Sequence, residues 1–195
     1  MDDLKNLNQL TDEDLVKEAL TSQSAFAVLL KRYQAKLTRY IIRISGVRFE
    51  DAEDIVQEVF LKAYLNLNDF DLDYKFSSWI YRIAHNEAIS HYRKTQTRPQ
   101  FLNLDVGEEH LDFLVSELDI TKSTDRNFLI NSLNAVFLEL DEKYREVLVL
   151  KFIEDYDYQE ISNILKKPMG TVATLINRAK AQFKKRAQEL KINFK

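Results

Sequence analysis

The sequence predicts an all-α protein of two helical domains joined by a flexible acidic linker, and three observations lead to this fold class. Apolar residues recur at helical spacing over most of the 195-residue chain. No stretch alternates apolar and polar residues cleanly, and no Asn-Gly or Asp-Gly pair marks a hairpin turn. Three glycines and two prolines are too few for the turns of a Rossmann fold, a P-loop enzyme or a β-sandwich.

Residues 22–95 predict the first domain, in which the first two helices are marked by their apolar residues. The first helix carries a stripe of apolar side chains from Phe26 to Ile44, and Gly46 closes it. The second opens with the acidic run Glu50–Asp54, because carboxylates stabilise a helix N-terminus.

The third predicted helix begins near Ser77 or Ser78, either of which can act as an N-cap, and runs to about Lys94. Residues 1–21 precede the domain as an acidic N-terminal segment without the apolar region of a signal peptide. We therefore expect a cytoplasmic chain that is not exported.

Residues 96–125 predict the linker. They contain Pro99 and Gly107, and they carry seven acidic residues against two basic ones. Such a composition favours a tether with short, weak helical pieces over a packed domain.

Residues 126–195 predict a second helical domain that ends in a helix-turn-helix. Asp157 and Glu160 fit a capping box at the start of a short helix. Residues 166–170 interrupt the helical pattern, and a longer helix follows over 171–187. Such a pair of helices is the arrangement that places the second helix in the major groove of DNA.

Charge supports this DNA-binding interpretation. The chain has a net charge of −3, but residues 158–195 contain nine basic and two acidic residues. The exposed side of the last helix would present these residues to duplex DNA: Thr171, Thr174, Asn177, Arg178, Lys180 and Lys184. A plain helical hairpin with a solvated basic exterior is the alternative.

The second helix carries a face that its core does not explain. At about 100° per residue, five side chains lie opposite the apolar stripe: Asp54, Gln57, Glu58, Leu61 and Leu65. Two leucines among carboxylates and an amide indicate a second contact surface, although single surface leucines are also ordinary.

The third helix also has a distinctive side. Arg82, Asn86, Ile89 and Arg93 share it, with Trp79 at its edge and Phe76 just before it. Aromatic side chains interleaved with Arg and Asn suit stacking on unpaired bases while phosphates are neutralised. A buried aromatic cluster is the competing interpretation for Phe76, Trp79 and Tyr81.

The sequence gives little indication of a catalytic site or a metal-binding site. There is no cysteine for a thiolate site, and His85, His91 and His110 lack the spacing of a metal-binding motif. Nucleophile and phosphate-binding motifs are absent as well. We expect no cofactor, no metal site and no enzymatic activity.

Taken together, these segments resemble a bacterial RNA polymerase sigma factor of the extracytoplasmic-function (ECF) class. Residues 22–95 resemble the family's region 2 along its length, and LDEKYREVLVLKFIEDYDYQEISNILKKPMGTVATLINRAKAQF resembles region 4. The resemblance covers about 140 residues in family order, with a linker between the two regions. It implies a non-enzymatic factor that binds core RNA polymerase, directs it to promoters and helps to melt promoter DNA.

The resemblance also implies roles for individual residues. The D-x-x-Q-E pattern falls on Asp54, Gln57 and Glu58, and it implies contact with a coiled coil in the largest polymerase subunit. Leu61 shares that face. A second motif falls on Trp79, Tyr81, Arg82 and Asn86, and it implies contact with the promoter strand as it is melted. Region 4 would read the upstream promoter element and dock on the polymerase flap, and the linker would thread toward the polymerase channels.

The chain departs from the family pattern in the helix-turn-helix. Lys166 stands where a glycine is usual, and Ala173-Thr174-Leu175 stands where Lys-Ser-Arg is typical. Two cations are therefore missing near the start of the recognition helix, and we expect weak or altered reading of the upstream element. Ser90 replaces a frequent aspartate of the melting helix.

Two alternatives stay open at this point. The chain could be a sigma-like factor that a partner protein recruits to DNA, either an activator or an RNA-guided DNA-binding protein. It could also be a helical regulator that has lost DNA binding, which the presence of Trp79, Arg82 and Asn86 argues against. An anti-sigma factor is a further expected partner, and no membrane insertion is expected.

Overall fold

A computed structural model describes residues 6–95 and 126–190 of the chain, and every regular element in these ranges is helical. The predicted all-α fold class is therefore confirmed. The chain divides into two compact units, one formed by residues 6–41 and 48–95 and the other by residues 126–190 with residues 42–47. The predicted linker, 96–125, lies outside the described residues. No helix in the described ranges is long and apolar enough to cross a membrane.

The first unit contains four α-helices and one short 3₁₀ turn at Leu67–Asp69. The helices are α1 (Asp12–Ala19), α2 (Gln23–Ser45), α3 (Phe49–Leu65) and α4 (Phe76–Thr95), of which α2 has its last residues, 42–45, in the other unit. The apolar stripes of α2 and α3 are buried as predicted, from Phe26 to Ile44 on α2 and from Ala52 to Ala63 on α3. Gly46 ends α2 with a φ of 67°, a left-handed conformation that glycine adopts without the steric cost of a Cβ atom.

Helix α1 is an element that the sequence pattern did not mark. It begins after Thr11, whose hydroxyl accepts a hydrogen bond from the Asp14 amide. Its inner face buries Leu15, Val16 and Ala19, and the helix packs on α4. The acidic N-terminal segment thus contributes a helix to the first unit.

Helix α4 begins one residue before the predicted serines. Phe76 is its first residue, and the Trp79 amide already bonds to the carbonyl of Lys75 at 3.2 Å. Neither Ser77 nor Ser78 is therefore an N-cap, which corrects the prediction. Ser78 is instead buried, and Phe76 is 1% exposed, so the apolar start of the helix is fixed by burial rather than by a local cap.

The second unit is built around its last helix. Its four helices are α5 (Arg126–Glu139), α6 (Glu142–Phe152), α7 (Tyr158–Leu165) and α8 (Met169–Glu189). Helix α8 packs on the other three, and its Phe183 ring meets the Phe137 ring of α5 edge-on at 5.5 Å. The recognition helix is longer than predicted at both ends, because Met169 and Gly170 already follow helical geometry after Pro168.

Helix α7 begins with a predicted capping box and ends with a strained residue. The capping box at the start of α7 is confirmed, with the Glu160 amide 2.7 Å from Asp157 Oδ1 and the Asp157 amide 2.8 Å from Glu160 Oε2. At the other end, Lys166 caps α7 with φ 52° and ψ 42°. A residue with a Cβ atom pays a steric cost there that glycine avoids.

Lys166→Gly is expected to stabilise the protein by about 0.5–1 kcal/mol, because glycine relieves the left-handed strain by more than its extra freedom in the unfolded chain costs. Thermal unfolding should show Tm raised by about 1–4 °C. Lys167→Gly is the matched control, since Lys167 has no positive φ and glycine there only adds freedom to the unfolded chain. Equal stabilisation by both variants would contradict this explanation.

Candidate functional surfaces

The exposed face of α3 has the composition that the sequence predicted. Asp54, Gln57 and Glu58 are exposed, and Leu61 and Leu65 are 53% and 68% exposed. The opposite side of the helix is buried against the rest of the unit. Large exposed leucines beside carboxylates form a surface that can bury apolar area and pair with cations at the same time.

A cleft of about 370 Å³ separates this face from α4. Asp54, Gln57 and Glu58 line one wall, and the other wall comes from residues of α4 that the sequence analysis did not assign: Glu87, Ser90, His91 and Lys94. These four recur at helical spacing, so a helical wheel of α4 could have grouped them. Only the packing of α4 on α3, however, brings them to the same cleft as the α3 carboxylates.

Ion pairs fix the edges of this cleft. The Lys62 ammonium lies 2.6 Å from the Glu87 carboxylate and joins the two helices. Near the start of α3, Arg48 donates a hydrogen bond of 3.1 Å to Asp51, and this bond lowers the pKa of the Asp51 carboxyl below its ordinary value although desolvation opposes it. The start of α3 therefore keeps its negative charge at neutral pH, as a helix N-terminus favours.

Three aromatic residues near the start of α4 divide into one accessible ring and two buried ones. Trp79 is half-buried, and its ring lies 5.2 Å from Phe70 and 5.7 Å from Phe76 between centroids. Phe76 and Tyr81 are 1% and 2% exposed. A ring that is already buried cannot stack on a base, so the predicted DNA contact of Phe76 and Tyr81 is corrected to a packing role behind Trp79 and α4.

The polar residues predicted for DNA remain accessible. Asn86 and Arg93 are exposed, and Arg82 is half-exposed. Ile89 was assigned to the same side, but it is 9% exposed and belongs to the core. Trp79, Arg82 and Asn86 thus present one aromatic face, one guanidinium and one amide within about two turns of helix, which suits an unpaired strand.

The start of α8, before Arg178, presents neutral side chains. Thr171, Thr174, Asn177 and Arg178 are exposed, in agreement with the predicted recognition face. The Thr174 hydroxyl donates a hydrogen bond of 2.9 Å to the Gly170 carbonyl, so its proton is used within the helix. Ala173 and Leu175 are half-exposed and supply no cation here.

The cations of α8 lie further along the helix, where they also make contacts within the unit. The Lys180 ammonium stands 5.1 Å from the centre of the Phe152 ring, where a cation–π interaction holds it against α6. Arg186 pairs with Glu189 at 2.7 Å, and this hydrogen bond raises the pKa of the guanidinium. Lys184 is half-exposed. Because these cations lie beyond the start of the helix, they are placed for contacts with phosphates and not for contacts with base edges.

Within residues 6–95 and 126–190, no group of three or more His, Asp or Glu side chains is arranged to hold a metal ion. The candidate surfaces of the described residues are the exposed faces of α3 and α4, the cleft between these helices, and the helix-turn-helix.

Comparison with protein families agrees with this division into two units. A family model described as Sigma-70 region 2 matches residues 29–98, and one described as Sigma-70, region 4 matches residues 130–183. The first match includes α3 and α4, and the second includes the helix-turn-helix.

Curated proteins similar to the chain include two ECF RNA polymerase sigma factors. The chain is 37% identical over 177 residues to SigW of Bacillus subtilis, covering 86% of this chain and 91% of that protein. It is 32% identical over 187 residues to the sigma-E factor of Escherichia coli K12, covering 93% and 97%.

Solved structures of similar fold include two protein complexes. The structure of CnrH in complex with the cytosolic domain of CnrY has a TM-score of 0.62 at 26% identity and covers 88% of this chain and 94% of that one. The sigma factor RpoE of Bartonella quintana, in complex with the anti-sigma factor NepR, has a TM-score of 0.60 at 20% identity. That match covers 84% and 96% of the two chains.

Proposed function

Since this chain belongs to the ECF class of RNA polymerase sigma factors, which direct core RNA polymerase to promoters, we propose how its surfaces divide that task. The first unit binds the polymerase and helps to open the promoter, and the helix-turn-helix positions the factor on duplex DNA. The chain supplies specificity and strand capture, while the polymerase carries out the chemistry in the cytoplasm. The observation that carries the proposal is the pair of distinct exposed faces on α3 and α4 of one unit.

The α3 face is proposed to bind the largest polymerase subunit. Its exposed Leu61 and Leu65 offer apolar area, and its carboxylates, Asp54 and Glu58, favour a basic partner surface. Gln57 between them can donate and accept hydrogen bonds at the same interface.

The α4 face is proposed to hold the unpaired promoter strand. Trp79 supplies a ring for stacking, Arg82 and Arg93 neutralise phosphates, and Asn86 can pair with the edge of a base. Because Phe70 and Phe76 support one side of Trp79, its ring is held in place before DNA arrives. This arrangement lowers the entropy lost on strand capture.

Reading of the upstream element is proposed to be weak. Ala173 and Leu175 hold a methyl and an isobutyl group near the start of α8, where neither can donate a hydrogen bond to a base. Arg178, which is exposed, and Lys184, which is half-exposed, lie further along α8 where they can neutralise phosphates, whereas Lys180 is held over the Phe152 ring. Phosphate contacts position a protein without selecting a sequence. The choice of promoter therefore depends mainly on the melted element.

Run-off transcription with purified core polymerase tests both the function and this weak reading. Transcripts should depend on the factor, and replacing the upstream element of the best promoter by random duplex should reduce their initial rate by about tenfold at fixed salt, the loss of one surviving base contact. A loss of about a thousandfold would show that Thr171, Thr174 and Asn177 read bases well. Transcripts that require an added DNA-binding protein would favour the recruited-factor alternative.

An anti-sigma factor is the proposed regulator. The relative CnrH is seen in complex with the cytosolic domain of CnrY, and RpoE of B. quintana is seen with NepR. A protein that covers the carboxylate and leucine face of α3 would compete directly with polymerase, because both would bury the same exposed leucines.

A further inference from the structure

The first two residues of α1, Asp12 and Glu13, accept hydrogen bonds that hold α1 to α2 and to α4. The Arg32 guanidinium of α2 donates to Asp12 Oδ1 at 2.6 Å, and it also donates to the carbonyls of Asn8 and Leu10 at 2.8 Å each. The Tyr33 hydroxyl donates to the other oxygen of Asp12. Asp12 therefore fixes the start of α1 against α2 through two neighbouring residues.

Glu13, the next residue, reaches the start of α4. Its Oε1 accepts a hydrogen bond of 3.3 Å from the backbone amide of Phe76, a contact between residues that are 63 positions apart. Phe76 is the first residue of α4, so its amide is one of the donors that a helix cannot satisfy internally. A negative carboxylate at this end also interacts favourably with the helix dipole.

The same contacts organise the rings that support Trp79. The Tyr33 ring meets the Phe76 ring edge-on at 5.4 Å, and the Phe76 ring lies 5.9 Å from Phe70 and 5.7 Å from Trp79. Asp12 holds Tyr33 by its hydroxyl, and Glu13 holds Phe76 by its amide. A displacement of α1 would therefore be transmitted to Trp79 through two ring contacts.

We propose that Glu13 is a positioning residue for promoter opening: by bonding the first amide of α4, it sets the place of Trp79, Arg82 and Asn86 for the unpaired strand. This inference rests on the proposed function of the α4 face. Glu13 itself touches no DNA in this role. It acts on strand capture by holding the start of α4, and misplacement by a fraction of an ångström weakens stacking and hydrogen bonding.

The test measures open complexes by permanganate reactivity while the factor is titrated against fixed core polymerase and promoter. Glu13→Ala should lower the plateau at saturating factor by about fivefold, close to the effect of losing one helix-end hydrogen bond. The factor concentration at half-saturation should stay unchanged, because the α3 face is intact. A variant that is merely less folded would instead reach the normal plateau at a higher concentration.

Two further variants distinguish the effect of the length of the Glu13 side chain from the effect of its negative charge. Glu13→Gln keeps a side-chain oxygen at the same length and should restore most of the plateau. Glu13→Asp keeps the negative charge at the start of α1 but is one methylene shorter, so it should behave like Glu13→Ala and provides the comparison if the alanine variant does not fold. Glu18→Ala, an exposed carboxylate at the other end of α1, is the matched control and should reach the wild-type plateau.

Several outcomes would overturn the inference. One is a wild-type plateau in both Glu13→Ala and Glu13→Asp. A second is a loss of plateau in Glu18→Ala equal to that in Glu13→Ala. A third is a change in the half-saturating factor concentration with no change in the plateau. If the wild-type factor opened no promoter with core polymerase, this result would contradict the proposed function. It would then also contradict this inference, which rests on that function.

Discussion

Replacing Asp54 and Glu58 by arginine is expected to weaken binding to core polymerase by more than about a hundredfold, or roughly 3 kcal/mol. Both carboxylates are exposed on the α3 face, so the reversal places two cations against the basic surface that this face is proposed to meet. Like charges brought together at an interface cost several kcal/mol. The fold should be retained, because exposed substitutions change the free energy of unfolding little.

Fluorescence anisotropy of the labelled factor titrated with core polymerase gives the dissociation constant, and circular dichroism checks the helix content. Glu18→Arg with Asp73→Arg is the matched control, since it reverses two exposed carboxylates of the same unit that do not lie on α3. Binding of the Asp54 and Glu58 double variant at the control's affinity would remove α3 from the polymerase interface.

Removing the polar contacts of the α4 face, by Arg82→Ala with Asn86→Ala, is expected to reduce open-complex formation by about thirtyfold or more at saturating factor. Contacts with an unpaired base and its phosphate contribute about 1–3 kcal/mol each, and two of them are lost here. Asn86 is exposed and Arg82 is partly exposed, and neither belongs to the buried core, so their loss leaves the core unchanged. Trp79→Ala would be harder to interpret, because it would also remove a ring that packs on Phe70 and Phe76.

Permanganate reactivity of the promoter reports the melted bases, and polymerase binding is measured in parallel. Gln34→Ala with Arg39→Ala is the matched control, because it removes an exposed amide and an exposed guanidinium from α2 of the same unit. Normal melting with the Arg82 and Asn86 double variant would assign these residues to the structure of α4 alone.

Much of the fold could be predicted because helical periodicity is a local signal. The stripe on α2, the end of that helix at Gly46 and the capping box at Asp157 each depend on residues within a few positions of one another. The start of α4 was predicted wrongly, since its first amide is satisfied by Glu13 from another helix and no residue next to it signals this.

The candidate sites likewise have features that a local pattern predicts and features that depend on residues distant in the sequence. A helical wheel places Asp54, Gln57 and Glu58 on one exposed face, because burial of the opposite stripe leaves no other orientation. The wheel could not decide whether Phe76 and Tyr81 meet DNA or the core, since an aromatic ring suits both environments. Their burial depends on rings from α2, which lie far away in the sequence.

The sequence by itself determined the helical class, the order of the two units and the charge of the last helix, because each is carried by composition or by contacts along one helix. Only the tertiary structure decided that the α3 carboxylates share a cleft with Glu87 and His91, that Lys180 lies over Phe152, and that Glu13 bonds the start of α4. These contacts join helices distant in sequence, and a local pattern holds no information on which amide or ring a side chain reaches once the helices have packed.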